Sequence, residues 1–220
     1  CDEAAELEDQ LVKEFSCNVS FEMLSKMDTK SITEKVKDLF ELHKNEEHIE
    51  VEIRLGKHNG SLFDTNVGKE TFERVLKGLK KYNGWESAKT TTTDVYYDDT
   101  NGIRISSDEN TGEQVMVQKI NVVKQDFKFE PLDVRFSISR EIPTFGQYDM
   151  DRKRSKLRHS FVRKNLSIDM TISSGDSVDK DSEDASSYQI ELEINKPGDV
   201  TSHDQLFNIL HKINDVSKLI

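Results

Sequence analysis

Cysteines, prolines and long apolar runs are all scarce in this sequence. Its 220 residues include two cysteines and three prolines. Cys1 and Cys17 are too few for a disulfide scaffold and lack metal-ligand spacing, so we expect a reducing, intracellular setting. No apolar run approaches the roughly 18 residues that span a bilayer, and the sequence opens without a basic and apolar signal segment. We therefore expect no membrane partner.

Several familiar catalytic signatures are also missing. The six histidines include no HExxH pair or similar zinc spacing. There is no G-x-S-x-G nucleophile elbow, and Gly68-Lys69 is followed by Glu70, so a phosphate-binding P-loop is missing too. The net charge of -11 is opposite to that of a general nucleic-acid coat protein, yet it is compatible with an enzyme that has a local basic groove.

The apolar residues that are present follow helical spacing in three segments. Hydrophobic and charged residues make up 34% and 33% of the chain, and the length suits one domain with its own core, so we predict a single domain over 1–220. The spacing predicts helices over 29–44, 69–82 and 202–219, with Thr29 or Ser31 capping the first and Ser202 the last. Residues 1–45 then form a helical flank, residues 49–196 the strands, and residues 202–219 the C-terminal helix.

Between the helices, period-two alternation predicts about eight short strands. Turn-forming pairs such as Asn101-Gly102 separate them. The acidic, serine-rich stretch 173–187 predicts a mobile loop. The chain is therefore a strand-rich α+β protein. The predicted strands are 49–57, 89–98, 102–107, 114–123, 133–142, 154–164, 166–172 and 188–195.

The polar faces of these strands are sorted by charge. Successive side chains of a strand point to opposite faces, so Glu50, Glu52 and Arg54 share one face of 49–57, opposite apolar residues. Glu191 and Glu193 do the same in 188–195. The polar face of 154–164 is basic and holds Arg154, Lys156 and Arg158. That of 133–142 holds Arg135 and Glu141, and that of 166–172 holds Asp169 and Thr171.

Sorted charges of this kind predict a metal and polyphosphate site. For any single strand, the simplest interpretation of the alternation is an antiparallel sheet with one solvent-exposed face. Carboxylates that share one face repel one another, however, and a divalent cation relieves that repulsion. Mg²⁺ and Mn²⁺ prefer carboxylate oxygens, and a facing set of Arg and Lys grips phosphate oxygens. The five strands taken together therefore predict a metal and polyphosphate site more strongly than any single strand does.

These motifs resemble those of the triphosphate tunnel metalloenzymes, and in particular the mRNA-capping RNA triphosphatases of fungi, protozoa and large DNA viruses. The resemblance covers roughly residues 49–196. Its anchors are the first-strand ExExR at 50–54 and the last-strand ExE at 191–193. Arg104, Lys119 and Glu141 follow between them in the family's order, as do the basic run 154–158 and the Asp169-x-Thr171 pair. Two positions depart from the pattern: Ser167 stands where a basic residue is common, and Gln189 where a third glutamate is common.

The resemblance implies a fold, a reaction and a set of roles. The expected fold is an eight-stranded antiparallel β-barrel with a polar interior, a triphosphate tunnel, flanked by helices that cover its apolar outer faces. The expected reaction is hydrolysis of the γ-phosphate of 5′-triphosphate RNA with Mg²⁺ or Mn²⁺, and of nucleoside triphosphates with manganese. Implied metal ligands are Glu50, Glu52, Glu191 and Glu193; implied catalytic residues are Glu141, Arg104, Lys119, Arg154, Lys156 and Arg158; implied substrate-binding residues are Arg54, Arg135, Asp169 and Thr171.

The resemblance also implies partners and a location. The 5′-triphosphate end of RNA is the expected substrate, and an RNA guanylyltransferase the expected protein partner; a homodimer stays open. A nuclear location follows from the capping role alone.

Two alternative functions remain open at this stage. One is a tunnel-fold hydrolase of tripolyphosphate or thiamine triphosphate, although that branch usually reads ExExK where this sequence has Arg54. The other is a non-catalytic interaction module in which the sorted charges are accidental. Manganese-dependent phosphate release from ATP distinguishes the module from both enzymes.

Overall fold

The structure is a computed structural model that describes residues 27–175 and 186–220. The chain alternates a few helices with nine strands in the described part. Its elements are α1 (Thr29–His43), β1 (Ile49–Asn59), β2 (Leu62–Asp64), α2 (Lys69–Lys81), β3 (Ser87–Asp98), β4 (Ile103–Asp108), β5 (Gln114–Phe127), β6 (Asp133–Pro143), β7 (Arg152–Arg163), β8 (Leu166–Gly175), β9 (Ser186–Ile194), a 3-10 turn (Pro197–Asp199), α3 (His203–Leu210) and α4 (Lys212–Ser217).

Eight of the strands close into an antiparallel barrel. Their order is β1-β6-β5-β4-β3-β7-β8-β9, and β9 pairs with β1 to close the ring. The predicted eight-stranded barrel is therefore confirmed. The ninth strand, β2, pairs only with the end of β1, and the sequence analysis did not predict it because three residues are too few to show alternation. Gly56 makes room for β2, since a side chain at Gly56 would collide with the backbone carbonyl of Asp64.

The hydrophobic core lies outside the barrel, between its wall and the helices. Val51, Ile53 and Leu192 point outward and are at most 1% exposed. Phe40 of α1 and Phe72 of α2 belong to the same buried cluster. Because this apolar surface is removed from water on the outside, the inward faces of the strands are free to be polar. None of the described helices is long and apolar enough to cross a membrane.

The helices agree with the predicted ranges except at two points. The cap of α1 is Asp28, whose carboxylate accepts a 2.7 Å hydrogen bond from the Ser31 amide; the prediction of Thr29 or Ser31 was wrong, because a short side chain one position earlier reaches the free amide. Ser202 caps α3 as predicted, 3.1 Å from the Gln205 amide. The predicted helix 202–219 is broken at His211, where the Asn214 amide bonds to the carbonyl three residues earlier instead of four.

The predicted loop 173–187 is shorter than expected. Its two ends continue the strands: Ser173 pairs with Ser187 and Ser174 with Ser186 across β8 and β9. Serine is compatible with a strand when the neighbouring strand supplies hydrogen bonds to its backbone. The middle of the predicted loop and most of the predicted N-terminal flank lie outside the described residues.

Candidate metal and triphosphate site

The barrel encloses a polar cavity of about 710 Å³. Side chains reach it from the inward faces of the strands, as the alternation predicted. Eleven of the fourteen predicted site residues line this cavity. They are Glu50, Glu52, Arg54, Arg104, Lys119, Glu141, Arg154, Lys156, Arg158, Glu191 and Glu193.

The acidic wall forms where β1 meets β9. The register places Glu52 opposite Glu193 and Arg54 opposite Glu191. One carboxylate oxygen from each of Glu50, Glu52 and Glu191 lies within 4.8 Å of the other two. Glu191 and Glu193 form a second such group with Asp169, again within 4.8 Å. Glu191 belongs to both groups, so the five carboxylates are continuous along this wall.

Two of these carboxylates have opposite electrostatic environments. Burial opposes ionisation of Glu52, but Arg54 and Lys119 outweigh it and hold the pKa of Glu52 at about 2. Their contacts are an Arg54 Nε to Oε2 distance of 3.2 Å and a Lys119 Nζ to Oε1 distance of 2.9 Å. Burial raises the pKa of Glu193 to about 7, and the neighbouring Glu191, Asp169 and Glu52 add to the rise. The Glu193 end of the wall thus lacks sufficient positive charge.

The acidic wall fits a hard divalent cation. Its donors are carboxylate oxygens, which Mg²⁺ and Mn²⁺ prefer, and it offers neither the thiolate nor the imidazole ligands of a typical zinc centre. Burial and the crowding of neighbouring carboxylates raise the pKa of Glu193, and a cation bound among them would favour its ionised form. Glu50, Glu52, Glu191 and Glu193, with Asp169 beside them, could hold such an ion.

The basic wall is built mainly by β7. Arg158 donates to Thr171 Oγ1 at 3.1 Å and lies 3.8 Å from Asp169. Arg154 donates to Ser173 Oγ at 2.6 Å and to its carbonyl at 2.9 Å. These hydrogen bonds to acceptor oxygens of β8 fix the orientation of both guanidinium groups before an anion binds. Such fixed orientation favours phosphate recognition.

Tyr97 and Arg152 also line the cavity, and the sequence analysis did not name them. Tyr97 lies opposite Arg104 on β4 and Arg152 on β7. The guanidinium carbons of Arg104 and Arg152 and the Lys156 Nζ lie 5.4, 4.1 and 5.4 Å from its ring centre. Burial opposes ionisation of this phenol, but the three cations, Lys156 foremost, lower the pKa of Tyr97. Arg152 could have been found by extending the basic alternation two residues towards the N-terminus.

Lys119 and Glu141 join the basic and acidic walls. They face each other across β5 and β6, with Lys119 Nζ 3.8 Å from Glu141 Oε1. The same ammonium group lies 3.4 Å from Glu50. Gly102 supports this position: it adopts a φ of +67°, and a side chain there would approach the Lys119 carbonyl to 2.9 Å. Glu141 is more exposed than the metal-site glutamates, with 36% of its side chain accessible.

Three predicted site residues do not line the large cavity. Asp169 and Thr171 lie on β8 behind Arg158, where Asp169 also accepts a 2.6 Å hydrogen bond from Ser160. Arg135 lies apart from the others: its guanidinium makes two hydrogen bonds to Asp126, at 2.7 and 3.0 Å, and stacks over Phe63. The structure therefore brings Arg135 to a different part of the barrel interior.

The two departures from the family pattern have their own partners. Ser167 donates to Asn195 at 2.8 Å. Gln189 lines the large cavity and lies 3.3 Å from Thr65, in the segment that follows β2. Neither position adds charge to the site.

The fold resembles that of two solved RNA triphosphatases. The S. pombe Pct1 RNA triphosphatase superposes with a TM-score of 0.69 at 18% identity, covering 89% of this chain and 97% of that one. The Mimivirus capping enzyme triphosphatase gives a TM-score of 0.59 at 16% identity, covering 88% and 99%. A further structure of Pct1 shows it in complex with the Spt5 CTD, with a TM-score of 0.67. A sequence search of curated proteins found no match.

The sequence itself carries the family assignment. Residues 10–219 match the family described as "mRNA capping enzyme, beta chain", which is nearly the whole chain and includes every strand of the barrel. The closed barrel, with acidic and basic walls facing across its interior, has the architecture expected of a triphosphate tunnel. The chain belongs to the mRNA capping enzyme beta-chain family, the RNA triphosphatases of the triphosphate tunnel fold.

Proposed function

We propose that this protein is a metal-dependent RNA 5′-triphosphatase that acts in mRNA capping. It hydrolyses the γ-phosphate of 5′-triphosphate RNA to give 5′-diphosphate RNA and inorganic phosphate, and it hydrolyses nucleoside triphosphates when manganese is present. The supporting observation is that four grouped glutamates and the basic wall face one another in a single cavity. An acidic wall alone would repel a polyanion, and a basic wall alone would not recruit a divalent ion.

The carboxylates divide the task of holding a metal. Glu50, Glu52 and Glu191, whose carboxylate oxygens lie within 4.8 Å of one another, would bind one Mg²⁺ or Mn²⁺, and Glu193 and Asp169 would add negative charge from the same wall. When bound, the ion would polarise a phosphate oxygen and offset charge that develops in the transition state. Arg54 holds Glu52 and Glu191 in place, through contacts of 3.2 and 2.8 Å.

The cations bind and orient the triphosphate. Arg154 and Arg158 present guanidinium groups whose planes are already fixed by β8, so little conformational entropy is lost when they clamp phosphate oxygens. Lys156, also on β7, and Arg104, on β4, both lie beside the ring of Tyr97. We leave Arg135 out of this clamp because its guanidinium already donates two hydrogen bonds to Asp126, from Nε and Nη2.

Glu141 supplies the general base. Its carboxylate is accessible to solvent and lies beside Lys119, so it can accept a hydrogen bond from a water molecule in line with the γ-phosphate. The water oxygen bonds to phosphorus, its proton passes to Glu141, and the bond from phosphorus to the bridging oxygen breaks. The leaving diphosphate end of the RNA stays in contact with the cationic wall until release.

The proposed role implies partners for the whole protein. The substrate is the 5′-triphosphate end of a new transcript, and the diphosphate product is the substrate of an RNA guanylyltransferase, which we propose as a partner. We further propose a nuclear location, which follows from the capping role alone, and a homodimer, which the sequence leaves open. Sedimentation analysis and imaging of the tagged protein test these two proposals.

Phosphate release from γ-labelled RNA tests the activity. We expect release with Mg²⁺ or Mn²⁺, none with a chelator, and none from Glu52→Ala or Glu193→Ala in the presence of metal. Glu113→Ala, in the exposed turn between β4 and β5, is the matched control and should retain full activity. Release that persists in the chelator would contradict the proposal.

A further inference from the structure

A second cavity opens beside the large one, between β4, β5 and β6. Its volume is about 260 Å³. The two spaces adjoin, because six residues line both of them: Glu52, Arg54, Thr65, Tyr97, Arg104 and Lys119. Lys124, Asn121, Ser137 and Ser139 line only the smaller one, which we call the side cavity. The proposed triphosphatase mechanism does not use any of these four residues.

The exposed Lys124 brings a positive charge to the edge of the side cavity. It lies opposite Ser137 on β6, and within residues 27–175 and 186–220 it makes no hydrogen bond or ion pair. Partial burial lowers the pKa of Lys124, and the nearby Arg135, Lys119 and Arg54 lower it further, which outweighs the opposite effect of Asp126. An ammonium group that is surrounded by cations becomes more stable when an anion binds beside it.

Ser139 adds an unused polar group to the same space. It is 2% exposed, and its Oγ has no hydrogen-bond partner among the described residues. A buried hydroxyl without a hydrogen-bond partner destabilises the folded protein, and a ligand oxygen that accepts a hydrogen bond from it removes that cost. The orphan hydroxyl and the unpaired ammonium group are both donors, which suits a ligand made of acceptor oxygens.

The carboxylates around the side cavity are already engaged. Asp98 accepts hydrogen bonds from Asn101, at 3.1 and 2.7 Å. Asp99 pairs with Arg152 at 3.0 Å, and Asp126 pairs with Arg135. Asp99 and Asp126 are therefore ion-paired and Asp98 is hydrogen-bonded by Asn101, and none of these contacts involves Lys124.

We propose that the side cavity binds a second phosphate group while the 5′ phosphates of the substrate or product occupy the large cavity. The inference rests on the proposed triphosphatase function. Two sources carry the same chemistry: the first phosphodiester of the RNA chain and the inorganic phosphate that the reaction releases. Either would place acceptor oxygens between Lys124 and Ser139, beside the donors Asn121 and Ser137.

Kinetics and binding of Lys124→Ala separate the two sources. The kinetic arm compares kcat/KM for a dinucleotide 5′-triphosphate with kcat/KM for ATP, which has no phosphodiester. The binding arm measures inorganic phosphate by calorimetry and does not depend on turnover. Losing one charge-assisted contact should weaken the affected ligand about ten-fold. Ser139→Ala should weaken the same ligand, Lys124→Arg should restore most of its binding, and Lys128→Ala, just beyond β5, is the charge-matched control.

Each outcome has a definite meaning. A fall of about ten-fold in the ratio of dinucleotide to ATP kcat/KM assigns the cavity to the RNA phosphodiester. A weaker affinity for inorganic phosphate, with that ratio unchanged, assigns it to the released product. If Lys124→Ala matches Lys128→Ala in both arms, the inference is overturned. A wild-type protein that hydrolyses neither substrate would refute the proposed function, while the calorimetric arm would still test the cavity.

Discussion

Replacing Glu193 with glutamine should stabilise the metal-free protein at alkaline pH. The pKa of Glu193 is about 7 instead of the ordinary 4.5, because of burial and its acidic neighbours. A raised pKa means that the folded state binds the proton more tightly than the unfolded state. The associated stability is fully present below about pH 4.5 and is lost as pH rises through about 7. The difference of about 2.5 pH units, at about 1.4 kcal/mol each, corresponds to about 3 kcal/mol.

Glutamine keeps the shape of the protonated carboxyl and cannot ionise. We therefore expect the free energy of unfolding of the wild type, relative to Glu193→Gln, to fall by up to about 3 kcal/mol between pH 4.5 and pH 8.5. Urea denaturation in a chelator at both pH values measures this difference, and Glu113→Gln serves as the exposed control. Added Mn²⁺ should reverse the order at pH 8.5, since the ion stabilises the ionised wild type. Parallel pH profiles for wild type and Glu193→Gln would refute the reasoning.

Three further predictions concern the clamp, a helix cap and the core. Arg158→Lys should lower kcat/KM for triphosphate hydrolysis by at least about ten-fold, since lysine lacks the planar fork of arginine. Lys153 faces outward near Asp94, so Lys153→Ala should have a mild effect. Equal effects of the two changes would contradict the strand register. Ser202→Ala should lower the free energy of unfolding by about 1 kcal/mol by removing the α3 cap, as measured by urea denaturation; no change would contradict the cap. Leu192→Ala, with a fully buried side chain, should cost about 2–5 kcal/mol in the same assay, and a cost near zero would contradict a core outside the barrel.

The sequence predicted the strands well because side-chain direction along a strand has a fixed period. Alternation placed Glu50, Glu52, Glu191 and Glu193 on polar faces, and the structure puts all four inside the barrel. Alternation does not say which strands are neighbours, so the pairing of Glu52 with Glu193 across β1 and β9 was not derivable from it. The closed ring came from the family resemblance.

The site residues that the sequence placed wrongly or did not identify have related causes. Alternation assigns a residue to a face but not to a height along the tunnel. Arg135 was therefore grouped with the cations of β7, whereas the structure places it in the smaller cavity. Arg152 was missed because the predicted β7 began two residues late. Tyr97 was missed because the sequence pattern was built on charged residues, although three cations lie around its ring. Its role depends on contacts between strands that are distant in the sequence.

A comparison of two substrates tests the central claim most directly. Purified protein is given 5′-triphosphate RNA and inorganic tripolyphosphate in parallel, with Mn²⁺, and kcat/KM is measured for each. The account predicts metal-dependent release of the γ-phosphate from RNA, with a higher kcat/KM than for tripolyphosphate. A clear preference for tripolyphosphate, or no release from RNA under any metal condition, would contradict it.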